Sequence, residues 1–226
     1  MSRPCLLILC LFAFAFSCFA QDERTTIKKS LIPATGNDTR DFIPSGWKLE
    51  EQLSSDLNND GTPDYVLKLI ENKPAKNSDE VNDRARALIV LLQGADGKLS
   101  RAAIADKLLQ CTGCGGAFYG VVDAPANVKI ENNVIVVEQD HGSREVSDVT
   151  FRFRYEATSK RFMLIGFDYT EHDRATAKVS LESTNYLTGV RKTNGRTSKI
   201  TKTRIFLDDI DYEKLEEDAV KRLGLG

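Results

Sequence analysis

The chain has 226 residues, with 31 Lys and Arg against 33 Asp and Glu, and a formal net charge of −2. An apolar share of 41% suffices to bury a core and excludes a disordered tail, while the near-neutral balance excludes the electrostatic footprint of a dedicated nucleic-acid binder. Beyond the N-terminus no apolar run reaches the roughly 18 residues of a membrane-spanning helix, which excludes a multi-span membrane protein.

Residues 1–20 read as a signal peptide. Arg3 precedes an apolar run over 5–16, small residues follow, and the chain turns polar at Gln21 after a cleavage position at Ala20. The expectation is export to the periplasm or beyond, with no transmembrane span in the mature chain. Two alternatives stand beside it: an uncleaved N-terminal anchor, and lipid attachment at Cys18, where a bulky Phe16 occupies a position usually held by a small residue. Cleavage removes Cys5, Cys10 and Cys18 and leaves only Cys111 and Cys114. Residues 21–41 read as a loosely ordered polar leader. Within it, Asn37-Asp38-Thr39 fits an N-glycosylation acceptor.

Residues 42–226 read as a single β-rich domain. Around Trp47 the alternation sorts Trp47, Leu49 and Glu51 against Lys48, Glu50 and Gln52. Residues 65–70 form a strand pattern and 87–92 a fully buried one, separated by a polar loop over 71–86. Asp96-Gly97 marks a hairpin turn; 99–109 fits either strand or short helix. Residues 128–130 and 134–138 flank the turn signal Asn132-Asn133. Val149, Phe151, Phe153 and Tyr155 alternate with polar residues, giving one buried and one wet face; after a turn at 158–160, residues 161–169 return. Residues 179–190 and 198–207 read as a further strand pair around Asn194-Gly195. Tyr212, Leu215, Ala219 and Leu223 recur at helical spacing, with Asp211 as N-cap. The predicted class is mainly β (α+β): an antiparallel, hairpin-built sheet or sandwich closed by a short C-terminal helix.

The strongest chemical signal is the stretch 55–65. Oxygen-bearing side chains Asp56, Asn58, Asp60 and Asp64 stand at alternating positions, Gly61 permits a sharp turn, and the Thr62 carbonyl falls where a backbone ligand is wanted. Calcium is a hard cation that takes six to eight oxygens, and alternate residues of a tight loop can point inward together. An EF-hand is not supported, because its bidentate Glu position is Leu67. The competing reading is a metal-free turn, for which Asn59-Asp60-Gly61 is sufficient chemistry. The pattern D-x-N-x-D-G-x-x-D, running into a hydrophobic strand over 56–70, resembles the calcium loops of FG-GAP and VCBS-type repeats, here in a single copy. That resemblance implies a calcium cofactor held mainly for structure. Together with Phe42–Trp47, the Cys-x-x-Cys-Gly-Gly stretch and the Phe-Arg-Tyr segment, the loop also resembles a group of uncharacterised exported bacterial proteins, which implies an envelope location.

Three weaker constellations remain. Cys111 and Cys114 point to a disulfide in an oxidising compartment, with thiol-redox catalysis or metal binding as alternatives. His141, in Asp140-His141-Gly142-Ser143, and His172 are the only histidines; a hydrolase through His141 lacks a G-x-S-x-G elbow. Arg191, Lys192, Arg196, Lys199, Lys202 and Arg204 form a basic stretch without acids, followed by the acidic run of Asp208, Asp209, Asp211, Glu213, Glu216, Glu217 and Asp218. It reads as a patch for an anionic envelope partner or, alternatively, as a solvated hairpin balanced by the helix. The sequence therefore predicts an exported, non-catalytic binding or interaction module with a structural calcium loop; an oxidoreductase or periplasmic hydrolase is the alternative.

Overall fold

A computed structural model describes residues 25–74 and 83–225. The signal peptide, with Cys5, Cys10 and Cys18, lies outside the described residues, as does the middle of the polar loop over 71–86. The chain forms β1 (Thr35–Gly36), β2 (Trp47–Ser55), β3 (Asp64–Glu71), β4 (Arg86–Gln93), β5 (Leu99–Ala105), β6 (Ala126–Glu131), β7 (Val134–Gly142), β8 (Glu145–Glu156), β9 (Arg161–Asp173), β10 (Lys178–Asn185), β11 (Val190–Thr193), β12 (Arg196–Lys199) and α1 (Tyr212–Leu223). Two antiparallel sheets result: five strands in the order β1-β5-β4-β3-β2, and seven in the order β12-β11-β10-β9-β8-β7-β6. Apart from β1, which pairs only with β5, each strand pairs with its neighbour in sequence, so the larger sheet is a pure meander.

Side-chain alternation decides which faces meet. On β8, Val149, Phe151 and Phe153 are buried, and they share one core with Ile135 and Val137 of β7, Leu164 and Phe167 of β9, and Val66, Leu88 and Val90 of the smaller sheet. Leu67, Leu69, Ile89 and Leu91 point the other way and are covered by Ile27, Ile32 and Phe42. The central strands of the smaller sheet are thus buried on both faces, which is why β3 and β4 read as continuous apolar runs rather than alternating ones. It also corrects the reading of 21–41 as a loose leader. From residue 25 onward this segment is the lid of a second core, pinned by the β1–β5 pairing and by a capping box at Asp38.

The region 99–109 resolves as β5 up to Ala105, followed by turns. The pair proposed for 179–190 and 198–207 is corrected too. Gly189 (φ 69°) turns the chain between β10 and β11, and the hairpin at Asn194 (φ 47°) and Gly195 (φ 81°) joins two strands of four residues each. Past Lys199 the chain leaves the sheet; Phe206 bridges back to Met163, and the Ile205 carbonyl accepts from the Leu164 amide at 2.8 Å. Helix α1 begins where expected: Asp211 accepts from the Lys214 amide, and Gly224 in the left-handed region (φ 67°) caps its end. Among the described residues no helix is long and apolar enough to cross a membrane, which says nothing of a β-barrel.

Candidate functional site

The aspartate loop joins β2 to β3 at one end of the smaller sheet. Asp64, the first residue of β3, is fully buried; one carboxylate oxygen accepts from the Leu57 amide at 2.9 Å and the other from the Gln93 amide at 2.9 Å. Asp56 accepts from the amides of Asp60 (3.1 Å) and Gly61 (3.0 Å), Asn58 from the Asp60 amide (2.9 Å), and Asp60 from the Thr62 amide (2.8 Å). The side chains therefore fold inward over their own loop, with Asn59 (φ 61°) and Gly61 (φ 88°) supplying the left-handed turns. The Thr62 hydroxyl, hydrogen-bonded to Asp60, holds the Asp60 carboxyl below its usual range, whereas burial pushes Asp64 up.

Whether these groups suit a cation is a matter of lone pairs. A carboxylate offers about four acceptor sites; Asp56 and Asp64 each accept two hydrogen bonds and Asp60 three, from the Thr62 amide, the Thr62 hydroxyl and the Asn58 side-chain amide, so each keeps at least one lone pair. Burial is the main cause of the raised Asp64 proton affinity, with the Asp60 charge adding to it and the Gln93 and Leu57 amides opposing it. As the side chains stand, no group of three or more His, Cys, Asp or Glu among the described residues is drawn together closely enough to hold a metal. The donor chemistry of Asp56, Asn58, Asp60, Asp64 and the Thr62 carbonyl fits a hard cation, and an ion would have to draw these oxygens closer.

Sequence reasoning missed what the loop touches. Asn133, in the β6–β7 turn of the larger sheet, donates from its side-chain amide to Asn59 Oδ1 at 2.7 Å. The loop is thus a point of contact between the sheets. No signal in the sequence links two asparagines 74 residues apart.

Cys111 and Cys114 lie in the β5–β6 connection with their sulfurs at bonding distance, 2.00 Å. The connection is held by buried polar side chains from the sheets. Arg86 donates to the carbonyls of Gln110 (3.2 Å) and Ala124 (2.8 Å) while paired with Glu50, and Gln139 accepts from the Gln110 amide (2.7 Å) and donates to the Leu108 carbonyl (3.0 Å). Gly116 (φ 70°) seats the loop against β7: a Cβ there would lie 2.6 Å from the Gly142 carbonyl oxygen. Cys111 is buried, and Cys114 leads into a three-residue 3-10 turn rather than an α-helix, so the usual device for lowering a thiol pKa does not follow it.

His141 is not brought to a serine nucleophile. Its Nε2 lies 2.9 Å from Glu216 Oε2 on α1, and this hydrogen bond raises the imidazole pKa against the opposing effect of burial. Its cross-strand neighbour Ser147 is bonded instead to the Tyr169 hydroxyl at 2.9 Å. His172 pairs with Asp148 at 3.0 Å near the surface.

The basic stretch is divided by strand parity. Arg191 and Arg196 share one face of the β11–β12 hairpin with Thr193 and Ser198, while Lys192 and Lys199 point to the other; Arg204 pairs with Glu156 and Lys202 lies against Gly189. The face with Arg191 and Arg196 meets the end of α1, and Arg222, absent from the sequence-based set, joins them around a groove of about 610 Å³. Beneath it Glu182, fully buried, takes Nε and Nη2 of Arg222 at 2.7 and 2.8 Å, with Arg191 Nε 3.3 Å away.

Compared with known proteins, the chain matches no family model, no curated protein and no solved structure.

Proposed function

We propose that this is an exported, non-catalytic β-sheet protein that works as a binding module in the cell envelope or outside the cell, and that its aspartate loop takes up calcium as a structural brace. The observation that carries this reading is the position of the loop: a set of hard oxygen donors lies at a contact between the two sheets, through Asn59 and Asn133. Asp56, Asn58, Asp60, Asp64 and the Thr62 carbonyl would hold the ion. Its charge would offset the mutual repulsion of three carboxylates and the unfavourable burial of Asp64. Export is supported by the composition of residues 1–20, a charged start, an apolar run and small residues before a polar turn.

Thiol-redox catalysis has less support, because Cys111 is buried and its loop is pinned on several sides. Hydrolysis through His141 has less as well, since Glu216 occupies the imidazole nitrogen a serine would need.

The test is thermal unfolding of the mature protein with calcium and with chelator, paired with calorimetric titration of calcium. A ligand that binds only the folded state at a hundred times its Kd stabilises by about 2.7 kcal/mol. A rise of several degrees in Tm, lost in Asp60→Ala, is expected. Equal Tm values and no saturable heat would leave a metal-free turn.

A further inference from the structure

We infer that the groove between the β11–β12 hairpin and the last turn of α1 is a binding site for a small organic oxyanion, a ligand carrying carboxylate or phosphate groups. The inference does not depend on the calcium brace; it gives the proposed binding module a ligand class and a place.

Three guanidinium groups, Arg191, Arg196 and Arg222, line the groove together with the hydroxyl residues Thr193 and Ser198, the amide of Asn194, and Leu223. No acid lines it among the described residues. The one carboxylate in contact, Glu182, lies below with its side chain at 0% exposure and both oxygens engaged, so it neutralises a single positive charge of the three. Its second effect is to fix geometry. Arg222 is held by a two-point contact through Nε and Nη2, which leaves Nη1 outside the pair, and Arg191 is held through Nε to Thr184 at 2.9 Å. Guanidiniums immobilised in this way lose little further rotamer freedom when they bind a planar or tetrahedral oxyanion. Arg196 sits across from Thr193 and has no acceptor among the described residues, so its full donor set is available.

Two opposing effects need weighing. The C-terminus of a helix carries about half a negative unit charge, which disfavours an anion there. That is smaller than the surplus of two guanidinium charges at the same place. The second is solvent: an open basic surface binds anions weakly and without selectivity. Here the groove is open to solvent, but Arg191 and Arg222 are held in place beside a buried carboxylate, and a volume of about 610 Å³ leaves room for an organic body around the charged group.

The experiment titrates the calcium-free and calcium-saturated mature protein with glutarate and, separately, inorganic phosphate at low ionic strength, following backbone amide shifts of 190–199 and 220–225. Saturable binding of at least one probe is expected, weakened about tenfold or more in Arg196→Glu, which disturbs no intramolecular partner. Lys199→Glu makes the same charge change on the opposite face of the same strand and is expected to leave affinity within about twofold. Absence of saturation by both probes in the millimolar range overturns the inference, and so does equal weakening by the two variants, which would mark a diffuse field of the whole hairpin. Binding that survives while calcium produces no thermal shift separates this site from the brace.

Discussion

Asn133 reaches across from the β6–β7 turn to Asn59 in the aspartate loop, its side-chain amide 2.7 Å from Asn59 Oδ1, and both residues have left-handed backbones (φ 63° and 61°). Two hairpin tips, one from each sheet, are thereby joined by residues whose side chains both tolerate positive φ and hydrogen-bond. The two roles can be separated. Asn133→Gly keeps the backbone conformation but removes the amide and frees the unfolded chain, so a loss of about 0.5–1.5 kcal/mol from the hydrogen bond, with up to about 1 kcal/mol more from chain entropy, is expected. Asn133→Ala adds the left-handed penalty of about 1–2 kcal/mol, offset in part by Gly's greater unfolded-state entropy. Denaturant midpoints should rank wild type above Gly above Ala; an equal midpoint for wild type and Gly would show that the cross-sheet contact contributes nothing.

Asp64 differs from its loop partners in what it supports. Its carboxylate holds the start of the loop through the Leu57 amide, a buried contact, and the end of β4 through the Gln93 amide, a half-buried one. In Asp64→Asn one oxygen becomes a donor facing an N–H, which leaves a buried amide unpaired at a penalty of about 1–3 kcal/mol. Asp60→Asn, at an exposed position, is expected to leave stability in chelator nearly unchanged while weakening calcium binding. Chemical denaturation in chelator distinguishes the two, and equal midpoints would remove the structural role assigned to Asp64.

The sequence makes legible what depends on near neighbours. Period-two alternation locates β8 and β9, Asn194-Gly195 the tight hairpin, and Asp211 the start of α1, because each is a local backbone or capping requirement. Two kinds of feature escape. A polar segment whose apolar side chains Ile27, Leu31, Ile32, Ala34 and Phe42 follow no regular period gives no signal, yet Ile27, Ile32 and Phe42 are buried against the outer face of the smaller sheet. The groove escapes as well, since Glu182 and Arg222 stand 40 residues apart and strand parity, not composition, separates Arg191 and Arg196 from Lys192 and Lys199. Basic residues over 198–207 look strand-like until the chain leaves the sheet at Lys199.

The Cys111–Cys114 link closes a very short loop, and in the chain-entropy picture such a loop stabilises by about 2 kcal/mol or less. Arg86 does more for the same connection. It is buried, paired with Glu50, and bonded to two carbonyls of the β5–β6 segment, with Lys68 and Glu50 3.6 Å apart beside it. Glu50 itself is exposed, so the loss of Arg86 falls on the two buried carbonyls of Gln110 and Ala124, each left unpaired at about 1–3 kcal/mol. Arg86→Ala should therefore lower stability more than the Cys111→Ser, Cys114→Ser double variant, as read from denaturant midpoints under identical conditions. The reverse order would make the sulfur link the main support of the segment.

His141 and Glu216 tie β7 to α1 and make the attachment of the helix sensitive to pH. The Glu216 carboxylate raises the imidazole pKa, with smaller contributions in the same direction from the charges of Asp140 and Glu213, and burial opposes them. A histidine whose pKa is higher when folded binds its proton more tightly in the native state. Its contribution is complete below the unfolded value of about 6.5 and is lost as pH rises through the raised folded value. Stability is thus expected to fall from mildly acidic to mildly alkaline pH. His141→Gln, which keeps a hydrogen bond to Glu216 but cannot titrate, should flatten that dependence, and so should Glu216→Gln, which removes the carboxylate that raises the imidazole pKa. Unfolding free energies across this range, with amide exchange along α1 as a local reading, measure both effects. A slope that survives in His141→Gln would assign the pH response to another group.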